Sequence, residues 1–471
     1  MVKHLRQQLT YVISDYVSTA AAMLVFECLR FNIDHTSQLW FSSLRQFLSS
    51  AMVLEEILLF PLLMLGLYWL SGFYNNVILK SRLVNFLTTI YTSLLGTLVF
   101  FFSAVINDVD LSHIDFYWIM MWLFVCLLTC VYTSRHIVTR VMRHDLKRGR
   151  ICRPTLIVGT GDDAIDMAHR LTRNYMAMGM RIDGFIDPSE PGSEISTVDN
   201  KPVYPISQVE KAIADYGTEC LVVMNSGDKT MQIVNRLLPS GCTVFVSPDF
   251  YQTLNAPIRT ANVAGEPLVD LSHPNQSAST ANIKRLIDII TSAVAIVLLS
   301  PVMLVIALMI RRDSKGPIIY SQIRIGRNKR PFKILKFRTM YDGAETAGPR
   351  LATNDDPRIT PLGRTLRKYR LDELPQFWNI LKGDMSLVGP RPEREYYIKQ
   401  IIERMPAYTV VQQVRPGLTS WGMVKFGYAS DVDQMLKRLN YELIYLDNMT
   451  LLVDFRIILY TIKIVISGKG L

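Results

Sequence analysis

The stretch IKRLIDIITSAVAIVLLSPVMLVIALMIRR, residues 283–312, decides how the second half of this chain meets a membrane. Its apolar run is long enough to cross ~30 Å of hydrocarbon as a helix. Basic residues flank the run on both sides, Lys284 and Arg285 before it and Arg311 and Arg312 after it. Ser300 and Pro301 stand at its centre, and a proline kinks a helix because it lacks the N–H and clashes with the preceding turn. Since basic flanks favour the cytoplasmic side, the pattern predicts a re-entrant helix–break–helix, and a straight fifth membrane span is the alternative.

Four further apolar stretches occupy the first third of the chain, at about 10–31, 51–72, 84–106 and 115–134. Each is long enough to span a bilayer, so residues 1–135 are predicted to form a bundle of four transmembrane helices. The first two stretches carry acidic residues, Asp15, Glu55 and Glu56, which we expect near an interface or facing the bundle interior. Lys and Arg concentrate before the first stretch, in the second loop and after residue 135, and the positive-inside rule places these segments in the cytoplasm.

The region 153–265 alternates short apolar runs with helical patterns, beginning with PTLIVGTGDDAIDMAHRLTRN at 154–174. Strand–helix alternation is typical of a parallel α/β sheet, so we predict a Rossmann-like domain here. The polar residues that follow, 266–282, are predicted to form a linker.

The Gly159–Thr160–Gly161 turn of this region raises the question of nucleotide binding. Such a turn presents backbone N–H groups at a helix start, where a phosphate can bind. The third glycine of the fingerprint is replaced by Ala164, and Asp183 and Asp187 are the candidates for a ribose-binding acid. Nucleotide binding and a degenerate fold used for packing or regulation both stay open.

The composition limits the kinds of partner. The formal net charge is +10, which suits anionic lipid, nucleic acid or phosphorylated substrates. Ten Lys and Arg residues and one Asp lie within 311–338, but no recognised nucleic-acid motif accompanies them, so we expect no nucleic-acid partner. The six cysteines form no CxxC pair, which argues against a disulfide framework or a structural zinc site.

A side-by-side carboxylate pair, Asp372 and Glu373, precedes the pattern LPQFWNIL, which predicts a helix that ends at Gly383. Proline is favoured in the first turn of a helix, so the pair lies at or just before the helix start, where the dipole keeps carboxylates ionised. A capped helix start with ordinary salt bridges is one reading. The other reading, favoured by the surrounding Arg and Lys, is phosphoryl transfer with a carboxylate nucleophile and a carboxylate that holds a divalent metal.

A set of motifs between 283 and 471 resembles the catalytic domain of bacterial polyprenyl-phosphate glycosyl-1-phosphate transferases. They are Ser-Pro in the apolar hairpin, KFRTM, DPRITPLG, LDELPQ, GDMSLVGPRP, RPGLT and LDNMTLLVDFRIILYT. The order of four spans, a Rossmann-like domain and this segment also resembles the large members of that monotopic phosphoglycosyl transferase family.

The resemblance implies an enzyme of the bacterial inner membrane whose active site faces the cytoplasm. It would transfer a hexose-1-phosphate, with glucose or galactose as the family default, from a UDP-sugar to undecaprenyl phosphate and release UMP. This is the first membrane step of exopolysaccharide, capsule or O-antigen synthesis. A homodimer is left open.

The resemblance also implies site residues. Asp372 would be the nucleophile of a covalent phosphosugar intermediate and Glu373 would help to hold Mg²⁺. The implied phosphate-binding residues are Lys336, Arg338, Arg367 and Arg391. Ser300 and Pro301 would break the re-entrant helix, and the amphipathic segment 454–466 would help to anchor the catalytic domain of 313–471 at the membrane surface.

Three positions depart from the usual pattern of the family. Arg370 stands where a small hydroxyl residue is common, and Ser420 and Gly422 stand where Gly and Ala are usual. Two other functions are alternatives. One is a membrane-bound nucleotide-sugar oxidoreductase or epimerase that uses the Rossmann-like region, and the other is a non-catalytic scaffold for polysaccharide assembly. The incomplete glycine fingerprint argues against the first, and the intact carboxylate pair argues against the second.

Overall fold

The computed structural model describes residues 2–33, 35–75, 82–107, 113–149, 152–173, 179–189, 197–224, 227–247, 268–272, 276–344 and 356–468. The chain forms two compact units. The N-terminal unit consists of Met1–Cys152, Arg173–Gly179 and Ser277–Asn282. The C-terminal unit consists of Arg153–Thr172, Met180–Gln276 and Ile283–Leu471.

The N-terminal unit is helical. Its helices are α1 (Val2–Ile33), α2 (His35–Trp40), α3 (Leu44–Leu48), α4 (Ala51–Leu70), α5 (Arg82–Asn107) and α6 (His113–Lys147). Four of them, α1, α4, α5 and α6, are apolar and long enough to cross a membrane. Three of the four predicted stretches fall within them, and the second, 51–72, extends two residues past the end of α4. Helix α1 packs against α4 and α6, and α5 packs against α6. Apolar N-terminal helices are therefore confirmed, and their passage across a membrane stays a prediction.

A buried ion pair lies inside this helical unit. The Arg135 guanidinium contacts the Asp15 carboxylate at 2.7 Å, and both side chains are fully buried. The Tyr74 hydroxyl donates to the same carboxylate at 2.8 Å, and the guanidinium lies 3.7 Å from the centre of the Phe73 ring. Asp15 therefore faces the interior, one of the two positions expected for an acid in an apolar helix.

The first part of the C-terminal unit is a parallel sheet flanked by helices. Its strands are β1 (Arg153–Val158), β2 (Met180–Asp187), β3 (Thr197–Val198), β4 (Lys201–Pro205), β5 (Cys220–Val223), β6 (Thr243–Val246) and β7 (Val269–Asp270). The strand order is β3-β4-β2-β1-β5-β6-β7, and only the edge pairings of β3 and β7 are antiparallel. Helices α7 (Asp162–Arg173), α8 (Val209–Tyr216) and α9 (Thr230–Leu237) connect the strands. The predicted α/β sheet is confirmed.

The segment predicted as a linker, 266–282, holds more structure than its polar composition indicates. Its described residues include strand β7, which pairs with β6, and the start of helix α10 (Ala278–Asp313). Helix α10 continues across Ser300 and Pro301 as a single helix, so the chain stays helical where the sequence predicts a break. A proline removes only one backbone donor, and the neighbouring turns keep their hydrogen bonds.

The remaining elements form the C-terminal part, which carries the transferase-like motifs. A hairpin of β8 (Ile319–Ile325) and β9 (Pro331–Phe337) is antiparallel, and β10 (Ser386–Val388) pairs in parallel with β11 (Gly417–Thr419). The helices are α11 (Pro361–Lys368), α12 (Gln376–Lys382), α13 (Glu395–Arg404), α14 (Tyr408–Val411), α15 (Trp421–Lys425), α16 (Val432–Asp447) and α17 (Leu451–Ile466).

Candidate active site

The carboxylate pair lies in a short helical turn between α11 and α12. Arg370 ends the preceding segment in a left-handed conformation with φ 54°, which turns the chain into the 3₁₀ turn Leu371–Glu373. Pro375 caps α12, which ends at Gly383 with φ 99°. Glycine adopts this conformation without steric cost, so the predicted helix end at Gly383 is confirmed.

Lys336 from strand β9 faces the pair directly. Its ammonium donates to Glu373 Oε1 at 2.7 Å and lies 3.9 Å from Asp372 Oδ2. Arg391 and Arg370 each approach a Glu373 oxygen to 4.0 Å. Both carboxylates are buried, so they meet these cations in a medium of low polarity, where electrostatic interactions are strong.

The two carboxylates differ in their electrostatics. Burial raises the pKa of Asp372 to about 6, even though Lys336 and Arg367 lower it. Burial also acts on Glu373, but the cations Lys336, Arg370 and Arg391 outweigh it and hold the pKa of Glu373 at about 2. For Asp372 burial outweighs the expected effect of the helix dipole and raises the pKa, although at about 6 the group is still ionised at neutral pH. The dipole acts only near the first turn and does not offset the loss of water around a buried group.

A cavity of about 520 Å³ opens next to Asp372. All four predicted phosphate-binding cations line it: Lys336, Arg338, Arg367 and Arg391. This volume lies within the usual range for small-molecule sites. The sequence-predicted residues therefore meet at one place, although 55 positions separate the first from the last of them (391 minus 336).

Two of these cations donate hydrogen bonds to groups outside the carboxylate pair. The Arg338 guanidinium donates to the carbonyl oxygens of Lys315 and Ser314 at 2.8 and 2.7 Å, just after the end of α10. The Arg367 Nε donates to Thr339 Oγ1 at 2.8 Å. Arg338 thus fixes the end of the long apolar helix, whereas Arg367 stays beside Asp372.

Several cavity residues were not singled out from the sequence. Tyr428 supports Arg391, whose guanidinium lies 4.9 Å from the ring centre, within the range of a cation–π contact. Arg324, Glu393 and Arg438 form a linked group of charges in the cavity wall. Of these residues, Glu393 could have been identified from the sequence, because it directly follows the GPRP motif. No local pattern marks Tyr428 or Arg438.

The loop at the start of α7 is less suited to a phosphate than its glycines indicate. Gly159 has φ 142° and a side chain there would crowd Met224, so the glycine is required by the local packing. However, Asp162 and Asp163 occupy the first turn of α7. Two negative charges at a helix start repel a diphosphate.

The carboxylate pair fits a divalent cation by the chemistry of its donors. In the described part of the chain, no third His, Cys, Asp or Glu joins a group that could hold a metal. Mg²⁺ is commonly bound by one or two carboxylates together with phosphate oxygens of a substrate. The oxygen donors of Asp372 and Glu373 are therefore of the right kind for Mg²⁺ bound with a diphosphate.

Comparison with known proteins relates two segments of the chain to described families. A sequence model described as bacterial sugar transferase matches residues 279–468, and one described as CoA-binding domain matches residues 70–217. A UDP-N-acetylgalactosamine-undecaprenyl-phosphate N-acetylgalactosaminephosphotransferase of Aeromonas hydrophila is 40% identical over 44% of this chain and 51% of its own length. A UDP-glucose:undecaprenyl-phosphate glucose-1-phosphate transferase of Klebsiella pneumoniae is 32% identical over 60% of this chain and 62% of its own length.

The extent of these matches limits what they show. The chain spans roughly half to two thirds of the length of the first relatives, 51% and 62% for the two proteins above. A UDP-glucose:undecaprenyl-phosphate glucose-1-phosphate transferase of Caulobacter vibrioides is 39% identical over 38% of this chain and 68% of its own length. Because that relative is matched over two thirds of its length, and the family's sequence model covers the segment with the Asp372–Glu373 turn, this chain belongs to the bacterial sugar transferase family.

Proposed function

We propose that this chain transfers a hexose-1-phosphate from a UDP-sugar to undecaprenyl phosphate and releases UMP. The observation that carries the proposal is a pair of adjacent buried carboxylates, of which Asp372 lines a cavity together with seven Arg and Lys side chains. The relatives are named as transferases that act between UDP-sugars and undecaprenyl phosphate, which supports the same reaction here. We propose glucose or galactose as the sugar and the first membrane step of exopolysaccharide, capsule or O-antigen synthesis as the role.

In the proposed mechanism Asp372 is the nucleophile. A carboxylate oxygen attacks the phosphorus that bears the sugar, the bond from that phosphorus to the bridging oxygen breaks, and UMP leaves with the electron pair. A phosphate oxygen of undecaprenyl phosphate then attacks the same phosphorus and displaces the Asp372 carboxylate. Two displacements replace one difficult transfer between charged partners. Since its pKa is near 6, Asp372 is ionised at neutral pH yet more basic than an ordinary carboxylate.

The cations around Asp372 are proposed to bind the diphosphate of the UDP-sugar. Lys336, Arg367 and Arg391 line the cavity and would neutralise phosphate oxygens, with the arginines capable of bidentate contacts. Arg338 also lines it, although its guanidinium is held by the end of α10. Glu373 would hold Mg²⁺, which would supply further neutralisation of the diphosphate charge.

Helix α10 is proposed to enter and leave the membrane by the same, cytoplasmic face. Near its start, Asp288 Oδ1 accepts a hydrogen bond from the Leu387 N–H at 2.9 Å. Near its end, Ile306 and Ile310 are buried against Phe337 and Leu366. Between these contacts the helix is exposed, with Val297 and Leu298 70% accessible. Because both ends contact the same domain, a passage to the opposite face is disfavoured.

The amphipathic segment 454–466 supports the same membrane placement. Large apolar side chains are exposed along α17 at Leu452, Phe455, Leu459, Ile462 and Ile466. Their spacing of three and four residues places them along one side of the helix, which suits insertion into the interface of the bacterial inner membrane. The acceptor phosphate stays at that surface because its lipid tail lies in hydrocarbon.

The test is UMP release from UDP-sugars by membranes that contain the Asp372→Asn variant. We expect no UMP release and no phosphosugar adduct, whereas wild-type protein does both with Mg²⁺ present. Asp384→Asn is the matched control, since Asp384 follows the other end of α12 and does not line the cavity. Retained activity in Asp372→Asn would refute the nucleophile. A panel of UDP-glucose, UDP-galactose and their N-acetylated counterparts identifies the sugar, and the mass of the solubilised protein checks for a homodimer.

A further inference from the structure

A buried polar chain lies behind the cavity wall and is not used by the mechanism above. Glu442 of α16 is buried, and its Oε1 accepts a hydrogen bond from the Ser420 hydroxyl at 2.6 Å. The same hydroxyl accepts from the Met423 N–H at 2.9 Å and so caps the start of α15. Within the described residues Glu442 Oε2 is buried without a hydrogen-bond partner. A buried carboxylate of this kind is costly and calls for a reason.

Gly422 is needed because of Glu442. A Cβ placed on Gly422 would lie 2.6 Å from Glu442 Oε1 and 2.7 Å from Arg438 Cγ. Contacts this short do not occur, so any larger residue at 422 forces the Glu442 carboxylate and the stem of Arg438 away from it. Ser420 and Gly422 are also the two positions that depart from the usual family pattern in this segment. The structure relates both departures to one side chain: Ser420 donates to Glu442, and Gly422 leaves room for it.

The groups around Glu442 converge on the loop Gly389–Glu393, here named the Arg391 loop. Arg438, one helical turn before Glu442, donates to Glu393 Oε1 at 2.5 Å. From the other side, Arg324 donates to the Pro392 carbonyl at 3.1 Å and to Glu393 Oε2 at 3.4 Å. Both partners of Glu393 line the cavity, so the loop is clamped between strand β8 and helix α16.

The strand that leads to Ser420 is bonded to the backbone of this loop. The Gly389 N–H donates to the Thr419 carbonyl at 3.0 Å, and the Gly417 N–H donates to the Pro390 carbonyl at 2.9 Å. Burial raises the pKa of Glu442 to about 7, while the Ser420 hydroxyl and the Arg438 charge act to lower it. Ser420, which directly follows Thr419, thus links the Glu442 carboxylate to the residues that present Arg391 to the cavity.

We propose that Glu442 is a positioning residue that fixes the Arg391 loop, so that the Arg391 guanidinium meets the diphosphate of the nucleotide sugar. The inference rests on the proposed function for the identity of that diphosphate. Arg391 shares the cavity with Lys336 and Asp372, and a small displacement of its loop changes the distance from its guanidinium to a bound phosphate. Such positioning acts on substrate binding more than on the fold.

The experiment compares Gly422→Ala with the double variant Gly422→Ala/Glu442→Asp in full-length protein. The added methyl displaces the Glu442 carboxylate, and the shorter Asp side chain withdraws the carboxylate from that methyl. We measure KM and kcat for the UDP-sugar that the wild-type protein uses best, the affinity for UDP by calorimetry, and the thermal midpoint. Asp431→Ala is the matched control, because it removes the N-cap of the same helix without touching Glu442.

Gly422→Ala is expected to raise KM and the dissociation constant of UDP about tenfold, the lower end of the effect of losing a hydrogen bond to a charged group. The double variant is expected to recover most of this loss, since the two changes compensate one another. Asp431→Ala is expected to lower the thermal midpoint and leave KM and UDP affinity unchanged.

The outcomes separate the inference from the proposed function. Unchanged UDP affinity in Gly422→Ala, no recovery in the double variant, or an equal loss in Asp431→Ala would overturn the positioning role. Wild-type protein that binds UDP but releases no UMP would overturn the proposed reaction, and the UDP affinities of the variants would still decide the role of Glu442. Wild-type protein that does not bind UDP would overturn both.

Discussion

The opposite electrostatics of Asp372 and Glu373 predict opposite effects on stability from two similar substitutions. Asp372→Asn is expected to stabilise the C-terminal unit at neutral pH, whereas Glu373→Gln is expected to destabilise it. The reason is that burial disfavours the ionised Asp372, while Lys336, Arg370 and Arg391 favour the ionised Glu373. An amide of the same shape removes the penalty in the first case and the stabilising interaction in the second.

The magnitudes follow from the pKa values. The folded-state pKa of Asp372, about 6, lies above its ordinary value, so its ionisation costs stability as pH rises through about 4 to 6. A difference of about 2 in pKa corresponds to ~3 kcal/mol once the group is fully ionised. Glu373 has a folded-state pKa of about 2, so its stabilisation, also ~3 kcal/mol, is complete above the ordinary value and is lost only as pH falls below it.

The assay is the thermal midpoint of the detergent-solubilised protein at pH 5 and pH 8. One kcal/mol moves the midpoint of a domain of this size by about 2–4 °C, so changes of several degrees are expected. The gain in Asp372→Asn should be larger at pH 8 than at pH 5, while the loss in Glu373→Gln should be the same at both. A loss of stability in Asp372→Asn at pH 8, or a gain that does not depend on pH, would refute the assignment of the raised pKa.

Three further predictions concern other contacts. Lys336→Met should raise the pH at which kcat/KM reaches half its maximum by about one unit or more. The reason is that the Lys336 charge, 3.9 Å from Asp372 Oδ2, favours the ionised carboxylate by up to ~4 kcal/mol at an effective dielectric constant of ~20. Lys336→Arg and the exposed Lys333→Met should leave that pH unchanged. Gly316→Ala should lower the thermal midpoint at least as much as Arg338→Ala, by about 2–4 °C per kcal/mol lost. A Cβ at 316 would lie 2.0 Å from Arg338 Nη1 and displace its bonds to the end of α10, and the backbone φ of 125° at Gly316 adds strain for any side chain. A silent Gly316→Ala would contradict this. Asp15→Ala should cost the N-terminal unit ~3–5 kcal/mol, because it leaves Arg135 buried without its carboxylate, and Asp15→Ala/Arg135→Leu should recover much of the loss in the same thermal assay.

Features of the site that depend on neighbouring residues in the sequence could be predicted. Features that depend on contacts between distant segments could not. Asp372 and Glu373 are adjacent and precede a helix with a clear proline start and glycine end, so their placement depends on a few neighbouring residues. Arg391 follows from the GPRP motif through resemblance. Its contact with Tyr428 depends on the packing of a distant loop, and no periodicity marks that loop. The raised pKa of Asp372 was missed for the same reason, because burial is a property of all surrounding elements together.

The proposed membrane anchor, α10, and the proposed reacting carboxylates are joined through the end of one strand, β9. Lys336 lies near the end of β9, and Arg338 follows the last strand residue, Phe337. Lys336 holds Glu373, and Arg338 holds the backbone that follows α10. A displacement of α10 along the membrane normal therefore pulls on the residues that flank Lys336. In the proposed reaction the acceptor phosphate stays at a depth set by its lipid, so the depth of α10 would govern the distance from Asp372 to that phosphate. We expect substitutions at Gly316 or Arg338 to raise the KM for the lipid acceptor more than the KM for the UDP-sugar, and equal effects on both would argue against this coupling.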